Sequence, residues 1–217
     1  MKLKNNIIKG LMLSSIVLSL NANAGETYGL VGYQNTGDTN IYGIGLKHET
    51  TKKNGLYNRF EGSIGMMDLP SYEGLKSNGM AYQLDYSLIK KMNSNVYFGG
   101  TVGYENLQAK YSNDNGYLKV NGDIFMAGVL LGYENKSFSI EGKIYPIINL
   151  NSTLSASANG KSVSMDFDGS HTVDGFYSIS LGLKANKDFT VYTSLGGSYG
   201  KESSGDISTM LSVQFKL

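Results

Sequence analysis

The chain has 217 residues, a formal net charge of +1, no cysteine, no tryptophan and only two prolines. Such a charge balance gives no electrostatic basis for binding nucleic acid, and without cysteine no disulfide can hold an exported fold together. Glycine, at 28 residues, is about twice as common as usual. Each glycine inside a helix costs ~1 kcal/mol relative to alanine, so the composition favours strands and turns.

The N-terminus reads as an export signal. Lys2, Lys4 and Lys9 give a basic start, Leu11 to Leu20 form an apolar run, and Ala22-Asn23-Ala24 supplies the small-residue ending. The apolar run is too short for a spanning helix, which needs ~20 residues. Cleavage is therefore expected after Ala24, leaving residues 25–217 as a single domain. The leader removes three lysines and no acid, so the mature chain is slightly acidic.

From residue 25 onward no apolar period of 3.6 is sustained, and no stretch is apolar for 18 residues. Alternation of period two recurs instead, as in strands with one apolar and one polar face. About ten strands are expected, with eight as the alternative count, near 26–34, 40–49, 56–66, 79–89, 95–105, 123–134, 137–148, 173–184, 188–198 and 206–217. In the fourth, Met80, Tyr82, Leu84, Tyr86 and Leu88 alternate with Ala81, Gln83, Asp85 and Ser87. The last alternates from Ile207 to Leu217. Most are long enough to cross a bilayer at a tilt, whereas strands of soluble proteins average ~5–6 residues.

The connections carry a second pattern. Links after the second, fourth, sixth and eighth strands are short and polar (TTKKNG, KKMNSN, ENKS, NKD), whereas those around 67–78, 106–122 and 149–172 are longer. Tight turns at one end and longer loops at the other characterise barrels of the bacterial outer membrane, and an even strand number leaves both termini on the short-turn side. The polar faces are rich in glycine, serine and alanine, residues that suit a crowded barrel interior. The charges embedded there have both signs: Arg59, Glu61, Asp85, Glu141, Lys143 and Lys184. Opposite charges in a confined lumen can pair and offset their desolvation. An all-β, antiparallel, up-and-down transmembrane barrel is therefore expected, with a charge network of Arg59, Glu61, Asp85, Glu141 and Lys143. With Tyr57, Tyr97 and Tyr145 also pointing inward, that network would plug the lumen.

The leader, the alternating strands and the C-terminal MLSVQFKL together resemble the small outer-membrane barrels of the outer-membrane protein A transmembrane and opacity-protein type. In that family the last strand alternates apolar residues and ends in an aromatic, which the assembly machinery reads. Here Leu211, Val213 and Phe215 are in phase, but the chain ends on Leu217. The resemblance covers the mature chain as architecture and implies an outer-membrane location, with membrane lipid, lipopolysaccharide and the barrel-assembly machinery as partners. A host surface ligand is a further candidate partner.

Sites of chemistry are sparse. His48 and His171 are the only histidines. The run Asp166-Phe167-Asp168-Gly169-Ser170-His171 reads as a turn-rich loop, and His48, at a strand end, as a bilayer-interface residue. Ser112-Asn113-Asp114-Asn115-Gly116 lacks the spacing and terminal glutamate of a calcium loop and reads as a hairpin turn. Gly43-Ile44-Gly45 lies within a strand with no helix after it, so a nucleotide site is not expected. The many tyrosines suit an interfacial girdle. No catalytic residue, cofactor or metal is assigned. The expected role is non-enzymatic, structural or adhesin-like, through the external loops, with a narrow porin-like channel as the alternative. An envelope enzyme of the omptin or lipid A deacylase kind is less favoured. In the deacylases a serine stands two residues after the histidine, a place that Val173 holds after His171.

Overall fold

The computed structural model describes residues 25–51, 53–70, 74–168, 175–200 and 207–217. The proposed leader and cleavage site, and His171, lie outside these residues. The described residues form eleven strands: β1 (Gly25–Thr36), β2 (Thr39–Thr51), β3 (Leu56–Asp68), β4 (Lys76–Lys91), β5 (Val96–Asn113), β6 (Gly116–Glu134), β7 (Phe138–Ala158), β8 (Lys161–Asp168), β9 (Gly175–Lys184), β10 (Phe189–Tyr199) and β11 (Ile207–Lys216). Ten of them form a closed wall of antiparallel neighbours. β1 pairs with β2 and β11, β6 pairs with β5 and β7, and β7 pairs with β9. Closure gives every wall strand two partners, so no backbone edge faces lipid.

Three of the turns at the end carrying both termini share one chemistry. Asn93 Oδ1 accepts hydrogen bonds from the backbone N–H of Asn95 (2.8 Å) and Val96 (2.7 Å). Asn135 Oδ1 accepts from Ser137 (2.8 Å) and Phe138 (2.9 Å), and Asn186 Oδ1 from Asp188 (2.8 Å). In each case an asparagine side chain stands in for the backbone of a tight turn.

At the other end the sequence expectation needs correction. The stretches 106–122 and 149–172 are not simply loops, because β5, β6 and β7 run on as strands of 18, 19 and 21 residues. β7 then folds back through Asn159 (φ 49°) and Gly160 (φ 78°) into β8, which pairs with β7 alone. Two consecutive positive φ angles match the right-handed twist of a hairpin, and Asn-Gly is the pair that adopts them most readily. The result is a sheet continuous with the wall that projects beyond it.

One irregularity marks the transition. In the β6–β7 ladder Ala127 pairs with Ile147 but Val129 pairs with Ile144, so β7 holds one extra residue around Tyr145-Pro146. Pro146 has no N–H to give to a ladder, and a bulge is where a sheet accommodates one. Gly128 faces the bulge. A Cβ there would lie 2.0 Å from the Ile144 carbonyl oxygen, so only glycine fits.

Candidate functional site: a filled lumen beneath an external sheet

The two faces of the wall follow from alternation. Val31, Ile44, Leu84, Leu88, Val102, Val129, Leu131, Ile179, Leu183 and Leu211 all point outward and are exposed, Leu84 at 42%. With Tyr33, Tyr42, Tyr86, Phe98, Phe125, Tyr133 and Tyr177 they form an apolar belt with aromatic members. Exposed apolar area on this scale is what a bilayer covers.

The inward face is packed. Towards the short-turn end Tyr57, Ile89, Tyr97 and Leu130 form a buried apolar cluster, with the Tyr97 ring lying where a side chain at Gly132 would be. Above it sits an ionic layer. Arg59, 6% exposed, donates through Nη1 to Glu141 Oε2 (2.5 Å) and through Nε to Glu49 Oε1 (2.8 Å). Its guanidinium stands 5.7 Å from the Tyr97 ring centroid, and the Tyr97 hydroxyl donates to Glu141 (2.9 Å). Lys143 Nζ reaches Glu61 (3.3 Å) and Glu141 (3.7 Å). Lys47 Nζ lies 3.3 Å from Glu49 and donates to Gln214 Oε1 (3.0 Å). The contacts join β2, β3, β7 and β11 across the lumen.

Four of the five residues named from sequence, Arg59, Glu61, Glu141 and Lys143, thus meet in one network. Asp85 does not join it by an ion pair. Its Oδ2 accepts from Gln83 Nε2 (2.7 Å), and its Oδ1 is buried without a hydrogen-bond partner among the described residues. Lys184 lies apart, paired with Glu134 (2.5 Å) at the short-turn end. Lys47 and Glu49 were missed, although both fall on the same alternate positions of β2 as Gly43 and Gly45. His48 is 1% exposed, in the outward phase of β2 with Ile44, and its Nδ1 shares a hydrogen bond with Thr27 Oγ1 (2.8 Å).

Beyond the ionic layer the amphipathic pattern inverts. Leu107, Ala109 and Tyr111 of β5 continue the lumen-facing phase of Glu105, and Leu118 and Val120 of β6 that of Ile124. Leu154 and Ala156 of β7, and Met165 and Val163 of β8, complete the same face by direct pairing. The opposite face carries Gln108, Lys110, Lys119, Asn121, Thr153, Ser155, Ser164 and Asp166. Thr153 donates to Asp166 (2.8 Å) there, and the Ser155 and Ser164 hydroxyls meet at 3.2 Å. A sheet with its polar side outward is built for water, so the projecting part stands clear of the bilayer. A cleft of about 970 Å³ lies at its tip, lined by Leu75, Tyr111, Leu118, Ala156 and Val163 among others. At that tip Asn113 Oδ1 accepts from the backbone of Asn115 (3.0 Å) and Gly116 (3.1 Å), closing a hairpin turn. Among the described residues no group of three or more His, Cys, Asp or Glu side chains is placed to hold a metal ion.

A closed ten-stranded antiparallel wall with an apolar outer belt and a polar interior defines an integral β-barrel of the outer-membrane type. No protein-family model and no curated protein matches the chain. Among solved structures it is similar to the translocator domain of autotransporter NalP from Neisseria meningitidis, with 12% identity over 98% of this chain and 96% of that one (TM-score 0.48). It is also similar to the outer-membrane protease OmpT from Escherichia coli, with 10% identity over 89% and 94% (TM-score 0.49). A third similar structure is Ail, the attachment invasion locus protein of Yersinia pestis, with 13% identity over 89% and 99% (TM-score 0.42).

Proposed function

We propose that the protein is a non-enzymatic surface barrel, anchored in the outer membrane with its lumen closed, whose projecting β5–β8 sheet contacts a partner outside the cell. The observation that supports this most is the sheet itself. It is ordered strand rather than loop, and it presents apolar side chains such as Val163 (66% exposed) and Met165 (55%) on the water side of the membrane. An exposed apolar face outside the bilayer costs solubility unless it has a use in recognition. The filled lumen argues in the same direction, because a barrel packed with Arg59, Tyr97, Glu141 and Lys143 has little room for solute.

The test joins two measurements on one pair of proteins. In the first, bacteria displaying the full mature chain are compared for adhesion to epithelial cells with bacteria displaying a variant in which residues 151–168 are replaced by a two-residue turn. Adhesion should fall while the barrel still assembles. In the second, the purified unmutated protein in planar bilayers should show little conductance. Steady, ion-selective single-channel currents together with unchanged adhesion would instead establish a porin-like channel.

A further inference from the structure

In the middle of the lumen three cations, Lys47, Arg59 and Lys143, face five carboxylates, Glu49, Glu61, Asp85, Glu105 and Glu141. The cations are all committed. Arg59 holds Glu49 and Glu141, Lys143 holds Glu61 and Glu141, and Lys47 holds Glu49 and Gln214. Among the described residues two carboxylates have no partner cation, Asp85 and Glu105, and they are neighbours. Asp85 pairs in register with Gly103 and Glu105 with Gln83, so the two acids lie diagonally across the β4–β5 ladder on one face. Diagonal neighbours stand ~7–8 Å apart at the backbone, close enough for long side chains to converge.

Burial makes the pair unusual. Asp85 is 7% exposed, and its Oδ1 has no hydrogen-bond donor among the described residues. That oxygen occupies the space a side chain at Gly103 would fill, 2.4 Å from where its Cβ would be, directly below Glu105 on the same strand. Lys143 is near enough to act on Asp85 electrostatically, but it is already bonded to Glu61 and Glu141. The charge that acts on Glu105 is Asp85 itself, which is of the same sign. A buried carboxylate oxygen with no partner beside a second carboxylate is costly unless something positive joins them.

We propose that Asp85, Glu105 and Gln83 form a binding site for a divalent cation, Ca²⁺ being the fitting ion, taken up from the external side. The two unmatched negative charges equal the charge of one such ion. The donor set is all oxygen, as a hard cation requires: Asp85 Oδ1, the Glu105 carboxylate and the Gln83 amide oxygen. Gln83 gives its Nε2 to Asp85, which leaves Oε1 to accept or coordinate. Three protein ligands fall short of a full shell, so water completes it. Asp85 is buried, Glu105 half-buried and Gln83 exposed, so access opens upward toward the projecting sheet and away from the ionic layer. The ion would complete the plug at its outer end.

The experiment uses the full mature barrel, refolded without lipopolysaccharide, freed of metal with chelator and titrated with CaCl₂ by calorimetry. Thermal unfolding is followed in parallel. The unmutated protein should bind one Ca²⁺ and unfold at a higher temperature in its presence. Glu105→Gln and Asp85→Asn should each weaken binding at least tenfold and remove the thermal shift, while both still migrate as folded barrels on unboiled gels. Glu105→Gln alters a half-exposed side chain, so it carries the test if Asp85→Asn fails to fold. No binding by the unmutated protein would overturn the proposal, as it would if the acids simply shared a proton. Equal binding by Glu105→Gln and the unmutated protein would also overturn it.

Discussion

Arg59 shows how much of the lumen depends on one side chain. It is the chain's only arginine, and its planar fork serves two carboxylates from different strands, which a lysine could not do with the same geometry. Arg59→Ala would leave Glu49 to Lys47 and Glu141 to Lys143 and the Tyr97 hydroxyl, with one cation fewer in a confined space. We expect a loss of about 3–5 kcal/mol in urea unfolding of the lipid-inserted protein, accompanied by a rise in single-channel conductance as the gap fills with water. Lower stability without any conductance would mean that the apolar layer of Tyr57, Ile89, Tyr97 and Leu130 seals the lumen alone. The charges were legible in the sequence as members of one face, because alternation assigns a face whatever the partner. Their pairing was not. Arg59 and Glu141 are 82 positions apart and come together only through barrel closure. Lys47 and Glu49 were overlooked because their strand ends within two residues of Glu49, where alternation carries little weight. Asp85 was assigned to the network by its charge, but its register places it beside Gly103 and Glu105.

At the scale of elements, the β7–β8 hairpin is what the reading of the chain missed. The signal was present: Asn159-Gly160 stands between two alternating runs, and that dipeptide is among the strongest short-range marks of a two-residue hairpin. It was obscured because small and polar residues, serine above all, dominate both runs, so the segment resembles a polar loop in composition. The bulge at Tyr145-Pro146 shifted the phase of β7 just before that point. Gly160, at φ 78°, holds a conformation that costs residues with a Cβ about 1–2 kcal/mol. Gly160→Val should therefore loosen the hairpin without touching the wall. Hydrogen exchange would speed up across residues 151–166 while amides of β1, β2 and β11 keep their protection. Equal loss in both regions would show that the projecting sheet and the wall unfold as one unit.

The whole molecule is organised by one inversion: apolar outward within the membrane, apolar inward beyond it. Two neighbouring positions on β4 test the membrane half. Leu84 points to lipid and Gln83 to the lumen, beside Asp85 and Glu105. Leu84→Arg should cost roughly 2–4 kcal/mol at mid-membrane or block assembly, whereas Gln83→Arg brings a cation to two unmatched acids and should be tolerated. Unfolding midpoints of the two variants check the ranking, and the reverse order would make the outward face an interior core. The native barrel should also resist carbonate and urea washing of membranes and run faster on unboiled than on boiled gels. Release into the soluble fraction would contradict the belt. The closed wall was readable from strand length, turn chemistry and the even count, since these are local properties repeated many times. The projecting sheet depends on strands outrunning the bilayer, and the alternation of one segment does not record where lipid ends.

Because β5, β6 and β7 pass from wall to tip without an intervening linker, the sheet is a cantilever rooted in the membrane. A pull on its tip along the strand direction would load the β6–β7 ladder in shear, from Gly116↔Ala158 down to Glu134↔Ser139. In that geometry many hydrogen bonds share the force at once instead of opening one after another. Any partner held at the tip would thus be tethered to the cell by a mechanically strong seam. Under rising load, the contact with the partner should rupture before the strands part.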